Sequence, residues 1–376
     1  MSLFTQHFAD LPDPRVTRTR RHELLDILAI AICAVIVDAD GWDALADYGR
    51  LKEAWLRTFL RRPHGIPSAD TFGRVFARLA PDTCATRFTA WMQALAGAMQ
   101  GKLVALDGKT MRHSFDTATG TPALHVVSAW VRENQLTLAQ RAVDGHSNEI
   151  PAISALLGLI DVRGAIVSLD AMGCQTAIAE AIREGGADYV LTCKANQPAT
   201  YAALQAFFTH AGTIAFAAIP HTYADDEAYA HGHYERRRVW CATAVDRVAL
   251  DERWSGLASV ACIESTRTAG DVTSVERRYV LSSLRNVDAA RIGGLVRGHW
   301  GIENQCHWVL DIAFDEDGCR IRKDHGPENF GVLRKLAINL LKRETTVKRG
   351  IALKRKHAGW ENAYLAKVLT AGVAGK

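Results

Sequence analysis

The chain has 376 residues, 48% of them hydrophobic and 23% charged, with a formal net charge of +4. A chain this apolar can bury enough surface to offset its ordering entropy, which excludes intrinsic disorder, and its length suits two or three domains. The longest apolar run, Ile27 to Val37, has eleven residues against about 20 for a spanning helix, and the opening MSLFTQHFADLPDPR lacks the pattern of a signal peptide, so an intracellular chain without a membrane partner is expected.

Residues 1–100 read as a helical N-terminal domain. Leu24 to Val37 is apolar nearly all round, as in a buried core helix, and a second helical stretch covers about Trp42 to Leu60. Pro63, Gly65 and Pro67 then break the chain. Ser68 caps a helix carrying Phe72, Val75, Phe76 and Leu79 on one face, and Pro81 ends that pattern. With Arg74 and Arg78 exposed on this helix, two readings stand: a DNA-reading helix in a domain that binds DNA ends, and a small bundle with solvated arginines.

From residue 101 the pattern turns to strands. LVALDG is a short apolar run ending in an acid and a glycine. LHVVSAWVRENQLTLAQRAV reads as a hairpin turning at Glu133–Asn134. His146 to Leu159 looks helical, and AIVSLDA is another apolar run ending in an acid. CQTAIAEAIREGGA is an amphipathic helix stopped by Gly185–Gly186, and DYVLTCK is a further strand. Residues 101–200 therefore predict an α/β fold, a mixed sheet with flanking helices.

Residues 201–285 form a β-rich stretch. After a helix near Tyr201 to Phe208, the segments HYERRRVWCATAV, ASVACIESTRT and SVERRYVLSSL read as strands. Within the first, alternation points Arg236 and Arg238 the same way, toward solvent or toward a phosphate. Helix returns from about Asp288 across 286–345, with breaks at Gly318 and Gly326–Pro327, and 346–376 is a basic tail. The eight cysteines include no CxxC pair, so a thiolate zinc site is not expected and the thiols read as buried apolar residues.

The net charge is unevenly spread. Residues 1–100 carry +1, residues 101–319 carry −7 and residues 320–376 carry +10. The tail, RIRK through KRETTVKRGIALKRK, is dense enough to grip a polyanionic backbone.

Asp107 ends the strand LVALD and Asp170 ends the strand IVSLD. Acids just past strand ends lie where an α/β sheet opens to ligands. Glu303 lies in HWGIENQCHWVLD, on a predicted helix. Two aspartates on neighbouring strands plus one such glutamate can hold one or two magnesium ions. Each acid also has an ordinary reading as a turn or cap residue. Asp311, Asp315, Glu316 and Asp317 compete with Glu303 for the third place; the motif WGIEN favours Glu303. From the residues alone the reading reaches a metal-dependent phosphotransfer enzyme.

Several motifs carry a resemblance over nearly the whole chain: LPDPR, PSADTFGRVF, ALDGKTMRHS, HVVSAW, HSNEI, SLDAMGCQ, YVLTCKANQP, RGHWGIENQCHWVLDIAFDED and RIRKDHGPENFGVLRKLAINLLK. In this order they resemble a bacterial insertion-sequence transposase of the DDE class, of the ISAs type that includes the H-repeat-associated proteins. The resemblance implies an RNase H-like core with catalytic and metal-binding acids at Asp107, Asp170 and Glu303. It implies two divalent ions, Mg2+ or alternatively Mn2+, strand cleavage by water, and attack of the freed 3′-hydroxyl on target DNA. It makes residues 201–285 a β-rich insertion between the second aspartate and the glutamate. The partners implied are the element's terminal inverted repeats and target DNA, with a homodimer in a synaptic complex, in the cytoplasm at the nucleoid.

One departure stands out. Related transposases place a Tyr, an Arg and a Lys at fixed spacing around the glutamate, where this chain has Val296, His299 and Leu310. His299 lies one helical turn before Glu303 and is read as facing the same phosphate, with Arg297 or Lys194 supplying the lost charge. Lys194, Asn196, Arg297, His299, Arg322 and Lys323 are the expected DNA contacts. Trp300 and Trp308 are read as core residues rather than base-stacking ones, and His113 and His146 as surface residues. Two other functions remain: a catalytically inactive or domesticated DNA-binding remnant, and an RNase H-like nuclease without strand transfer.

Overall fold

The computed structural model describes residues 2–61, 64–144, 148–230, 233–250 and 252–371. Its helices are α1 (Ser2–Phe8), α2 (Leu24–Ile36), α3 (Trp42–Leu51), α4 (Glu53–Leu56), α5 (Ala69–Arg78), α6 (Pro81–Ala96), α7 (Glu149–Leu159), α8 (Thr176–Glu184), α9 (Pro198–Thr213), α10 (Ala289–His299), α11 (Trp308–Phe314), α12 (Gly326–Arg343), α13 (Ile351–Trp360) and α14 (Asn362–Thr370). Its strands are β1 (Leu103–Thr110), β2 (His125–Val131), β3 (Leu136–Ala142), β4 (Ile166–Leu169), β5 (Asp188–Cys193), β6 (His221–Ala230), β7 (His233–Ala242), β8 (Ser259–Ala269) and β9 (Val272–Ser282). Two compact bodies result. The first comprises Met1–Ala98, Gly108–Asn148 and Glu303–Lys376, and the second Met99–Asp107 and Glu149–Ile302.

The first body is built on two helices buried nearly all round, α2 and α12. α2 is apolar nearly all round and leaves no face for water, so it is enclosed by neighbours. α12 carries polar residues inside as well, and two asparagines among them bond to neighbouring backbone. Asn329 donates to the carbonyls of Phe76 (2.8 Å) and Leu79 (2.9 Å), satisfying acceptors at the end of α5. Asn339 pairs with the backbone of Thr137, accepting at 3.0 Å and donating at 2.8 Å, which ties α12 to β3. The Ser68 hydroxyl caps α5 by accepting from the Thr71 amide, and Phe72, Val75, Phe76 and Leu79 are buried as predicted. Pro81 starts α6 instead of merely ending α5, because its missing N–H costs nothing at a helix's first turn. Gly326–Pro327 likewise opens α12 rather than breaking it. The hairpin β2–β3 turns where predicted, at residues 132–135.

The basic tail is not a free arm in its described part. It folds as α13 and α14, and part of its charge is spent inside. Arg355 is buried, donates to the Val35 carbonyl at 2.8 Å and pairs with Asp38 at 2.8 Å. A cation at the C-terminus of α2 meets the negative end of the helix dipole there. Lys354 is buried and donates to the Leu341 carbonyl at 2.9 Å.

In the second body seven strands run in the order β1-β4-β5-β9-β8-β7-β6. β1, β4 and β5 are parallel, with Leu106 opposite Leu169 and Leu169 opposite Leu191. β9 joins β5 antiparallel, and β8, β7 and β6 follow as a meander. The β-rich stretch therefore continues the parallel sheet instead of folding apart from it. Helix α10, capped by Asp288 accepting from the Arg291 amide at 2.7 Å, buries Ala289, Ile292, Leu295 and Val296 against Leu103, Ile166, Val190 and the inner halves of β7, β8 and β9.

Candidate active site

Asp107 and Asp170 each follow the last paired residue of a parallel register, Leu106 and Leu169. The shared register makes the two aspartates neighbours across the strands, both half-buried; Asp170 ends its strand as expected, but Asp107 does not, because β1 runs on to Thr110. Asp170 Oδ1 accepts from the Met172 amide at 3.1 Å, which fixes the turn that presents the other carboxylate oxygen. Ser168, two residues earlier and so on the same face, is hydrogen-bonded to His299 Nδ1 at 3.0 Å. His299 is only 6% exposed. This corrects the expectation that it faces a phosphate: α10 packs against the sheet, which draws its ring inward onto β4.

The other predicted contacts divide. Lys194 is exposed just past β5. Asn196 is exposed but donates to the Ala171 carbonyl at 2.6 Å, bracing the loop after Asp170. Arg297 is exposed and paired with Asp226 at 2.6 Å. Arg322 stacks over Phe115, 4.8 Å from the ring centre, and donates to the His113 carbonyl at 3.1 Å, while Lys323 is exposed. Arg236 and Arg238 do point the same way, but each already has an acid: Asp225 at 2.6 Å for Arg236, and Glu264 for Arg238. Trp300 and Trp308 are 45% and 58% exposed, which overturns their reading as core. Trp300 instead lies under the Arg278 guanidinium, 5.6 Å away. His113 is on the surface as expected, and His146 lies outside the described residues.

Glu303 opens a π-helical turn, Glu303–His307. Such turns widen the helix locally and recur at functional sites. Its carboxylate accepts from His307 Nδ1 at 3.0 Å, and His307 is buried. That hydrogen bond holds Glu303 below the usual carboxylate range; partial burial opposes it, and the charges of His307 and Lys109 add to it. The charge of Lys109 thus reaches Glu303 along with that of His307. Lys109 stands two residues beyond Asp107 on β1 and so on the same face of the strand. Its ammonium lies 2.7 Å from Asp311, 3.0 Å from Asp317 and 3.5 Å from Glu316. Burial works to lower its pKa, but Glu316 and the two aspartates hold it above the usual lysine value.

The competing acids have partners or positions of their own. Asp311 and Asp317 are bound to Lys109, and Asp317 also to Arg112 at 3.2 Å. Asp315 caps α11 in the left-handed region, φ 45°. Glu316 is fully buried: burial would raise its pKa, yet Lys335, Arg334 and Lys109 hold it low. An imidazole bonded to a carboxylate, as His307 is to Glu303, is an arrangement that orients a ligand toward a hard divalent ion. Sequence reading missed Lys109 and His307, although their spacing, two residues after Asp107 on a strand and four after Glu303 on a helix, carried the signal.

Comparison with known proteins matches the same residues. Residues 99–340 match the family model described as "Transposase DDE domain", and residues 5–92 match the one described as "DDE_Tnp_1-associated". The chain is 34% identical over 371 residues to the "H repeat-associated putative transposase YhhI" of Escherichia coli (strain K12), covering 97% of each chain. It is 34% identical over 363 residues to the "Putative transposase YncI" of Escherichia coli O157:H7, covering 96% of this chain and 92% of the relative. An "Uncharacterized protein in dhlA 3'region" of Xanthobacter autotrophicus is 43% identical over 279 residues, 73% of this chain. The chain belongs to the DDE transposase family, whose catalytic domain is RNase H-like and whose members use divalent metal on DNA. Among the described residues no helix is long and apolar enough to cross a membrane.

Proposed function

We propose that this chain cuts DNA at the ends of an insertion sequence and joins the freed 3′-hydroxyl to target DNA, with Asp107, Asp170 and Glu303 as its catalytic carboxylates. The observation that carries the reading is the pair of aspartates just past the parallel pairing of two neighbouring strands, Asp107 after Leu106 and Asp170 after Leu169, inside the matched transposase domain. The three carboxylates, with His307 orienting Glu303, are the groups that would hold two divalent ions, Mg2+ or Mn2+. When bound, these supply charge neutralisation at the scissile phosphate and activation of the attacking oxygen.

The protein's own residues do the rest. The Met172 amide and the Ser168–His299 pair fix the strand end that carries Asp170. His307 keeps Glu303 ionised and aimed. Lys109 ties β1 to Asp311, Glu316 and Asp317, so that the end of the strand is held against the fraying common at strand termini. In this reading residues 1–100 bind element ends, Lys194, Lys323 and Arg322 contact the backbone, and two copies act together at a pair of ends.

The test is incubation of the full chain with Mg2+ and a plasmid carrying the gene with its flanking DNA. Joined products are expected. Cuts without joining would reduce the function to that of a nuclease, and binding without cutting would mark a DNA-binding remnant. Asp107→Asn should abolish cleavage and leave DNA binding nearly intact; retained cleavage would overturn the site.

A further inference from the structure

A second polar feature of the first body lies outside the carboxylate site. A cavity of about 490 Å³ is lined by Arg15, Arg21, His22, Ser68, Thr71, Arg74 and Arg78, among others, and among the described residues no carboxylate is part of its wall. Three of its arginines, Arg21, Arg74 and Arg78, are exposed and form no ion pair among the described residues. The fourth is positioned from behind. Arg15 is held by both oxygens of Asp13, at 2.9 and 2.7 Å, and donates to the His22 carbonyl at 2.6 Å. His22 stays neutral near pH 7, because burial and then the neighbouring Arg15 push its pKa below the usual histidine value.

The other wall is one face of α5. Thr71, Arg74, Val75 and Arg78 follow the i, i+3, i+4, i+7 spacing that shares a helix face. The opposite face is anchored by the buried Phe72 and Phe76, so the arginines project from a fixed support. Arg74 also lines an adjoining cavity of about 1170 Å³ together with Arg320, Arg322 and Lys323, but Asp40, Asp43, Asp70, Asp116 and Asp324 share that wall and balance its charge. The uncompensated cations are therefore those of the smaller cavity, spread along α5 and the Arg15–His22 segment. An isolated anion fills one position, whereas a chain of phosphates spaced several ångströms apart occupies successive ones.

We infer that α5 and the Arg15–His22 segment form a seat for the DNA phosphate backbone, with Arg21, Arg74 and Arg78 as its contacts. This rests on the proposed reading of DNA as substrate. It makes α5 a backbone-holding helix and not a base-reading one, since the fork of a guanidinium matches phosphate oxygens whatever the sequence.

The test measures binding of the full chain to a fluorescein-labelled 30-base-pair duplex of mixed sequence by anisotropy, across a salt series. Arg74→Ala combined with Arg78→Ala should weaken binding about tenfold or more and flatten the log–log salt slope by about 1.8, two contacts at about 0.9 each. Arg74→Lys with Arg78→Lys should keep most of the slope. Arg57→Ala, outside the cavity and paired with Glu53, should bind as wild type. Unchanged affinity and slope in the double alanine variant would overturn the inference and leave the cleavage reading standing. Failure of the wild type to bind any duplex would overturn both. Displacement of the duplex by millimolar inorganic phosphate at matched ionic strength would make the cavity a free-phosphate site, also overturning the inference.

Discussion

Replacing Lys109 with methionine tests the network that secures the end of β1. The ammonium is 13% exposed and has carboxylate oxygens at 2.7, 3.0 and 3.5 Å, from Asp311, Asp317 and Glu316. At an effective dielectric near 20 each pair has a gross attraction of about 5–6 kcal/mol, most of it offset by desolvation. Removing the lysine leaves Glu316, which has no exposed surface, short of one of the cations that hold it ionised, whereas Asp311 and Asp317 are 31% and 26% exposed and can turn to water. Discounting the two aspartates for solvent screening leaves a loss of about 3 kcal/mol, at the low end for breaking a buried pair. Urea unfolding followed by circular dichroism should show a lower midpoint at unchanged slope. Adding Glu316→Gln should recover part of the loss, because the stranded charge is then gone. A Lys109→Met variant within about 0.5 kcal/mol of wild type, or strict additivity with Glu316→Gln, would refute the reasoning. The pH dependence has a stated sign. The folded-state pKa of Glu316 is depressed, so its contribution is full above the unfolded glutamate value of about 4.3 and is lost as pH falls below it. That of Lys109 is raised, so its contribution is full below the unfolded lysine value of about 10.4 and is lost as pH rises above it.

Other outcomes follow from the same contacts. Ser68→Ala removes the cap of α5 and should cost about 1 kcal/mol in urea unfolding. Asn339→Ala strips two backbone hydrogen bonds from buried Thr137 and should cost about 2–3 kcal/mol, against less than half that for a change at exposed Lys323. Gly173→Ala would set a Cβ 2.3 Å from the Leu169 side chain, so Leu169 must shift; a stability loss of about 1–3 kcal/mol is expected, with slower DNA cleavage because Asp170 is the next residue. Unchanged cleavage would separate that strand end from the chemistry. His307→Phe should raise the metal concentration needed for half-maximal cleavage about 10- to 100-fold, and an unchanged requirement would remove His307 from the orientation of Glu303.

Local signals sufficed where local physics decides. The all-apolar stretch of α2, the cap at Ser68, the glycine stop after α8 and the apolar runs ending at Asp107 and Asp170 are readable because helix periodicity, capping and strand burial are short-range. Strand β6 was not legible. HTYADDEAYA is acidic and mostly exposed, and it is a strand because Asp225, Asp226 and Glu227 face Arg238, Arg237 and Arg236 across the ladder. The fates of charged and aromatic residues were equally hidden: a sequence counts Arg355 as part of a basic tail, while the fold spends it on the carbonyls of α2. His299 looks like a surface contact by spacing alone, and only the packing of α10 on the sheet turns it inward to Ser168.

The sequence by itself therefore determined most element types, the two aspartates after the apolar runs and the motif order that marks the family. Tertiary structure decided which charges were consumed inside, which groups act on Glu303, and which arginines along α5 have no ion pair among the described residues. Secondary structure and motifs depend on neighbours within a few residues, whereas the state of a charge depends on partners hundreds of residues away, as Lys109 and Asp317 are.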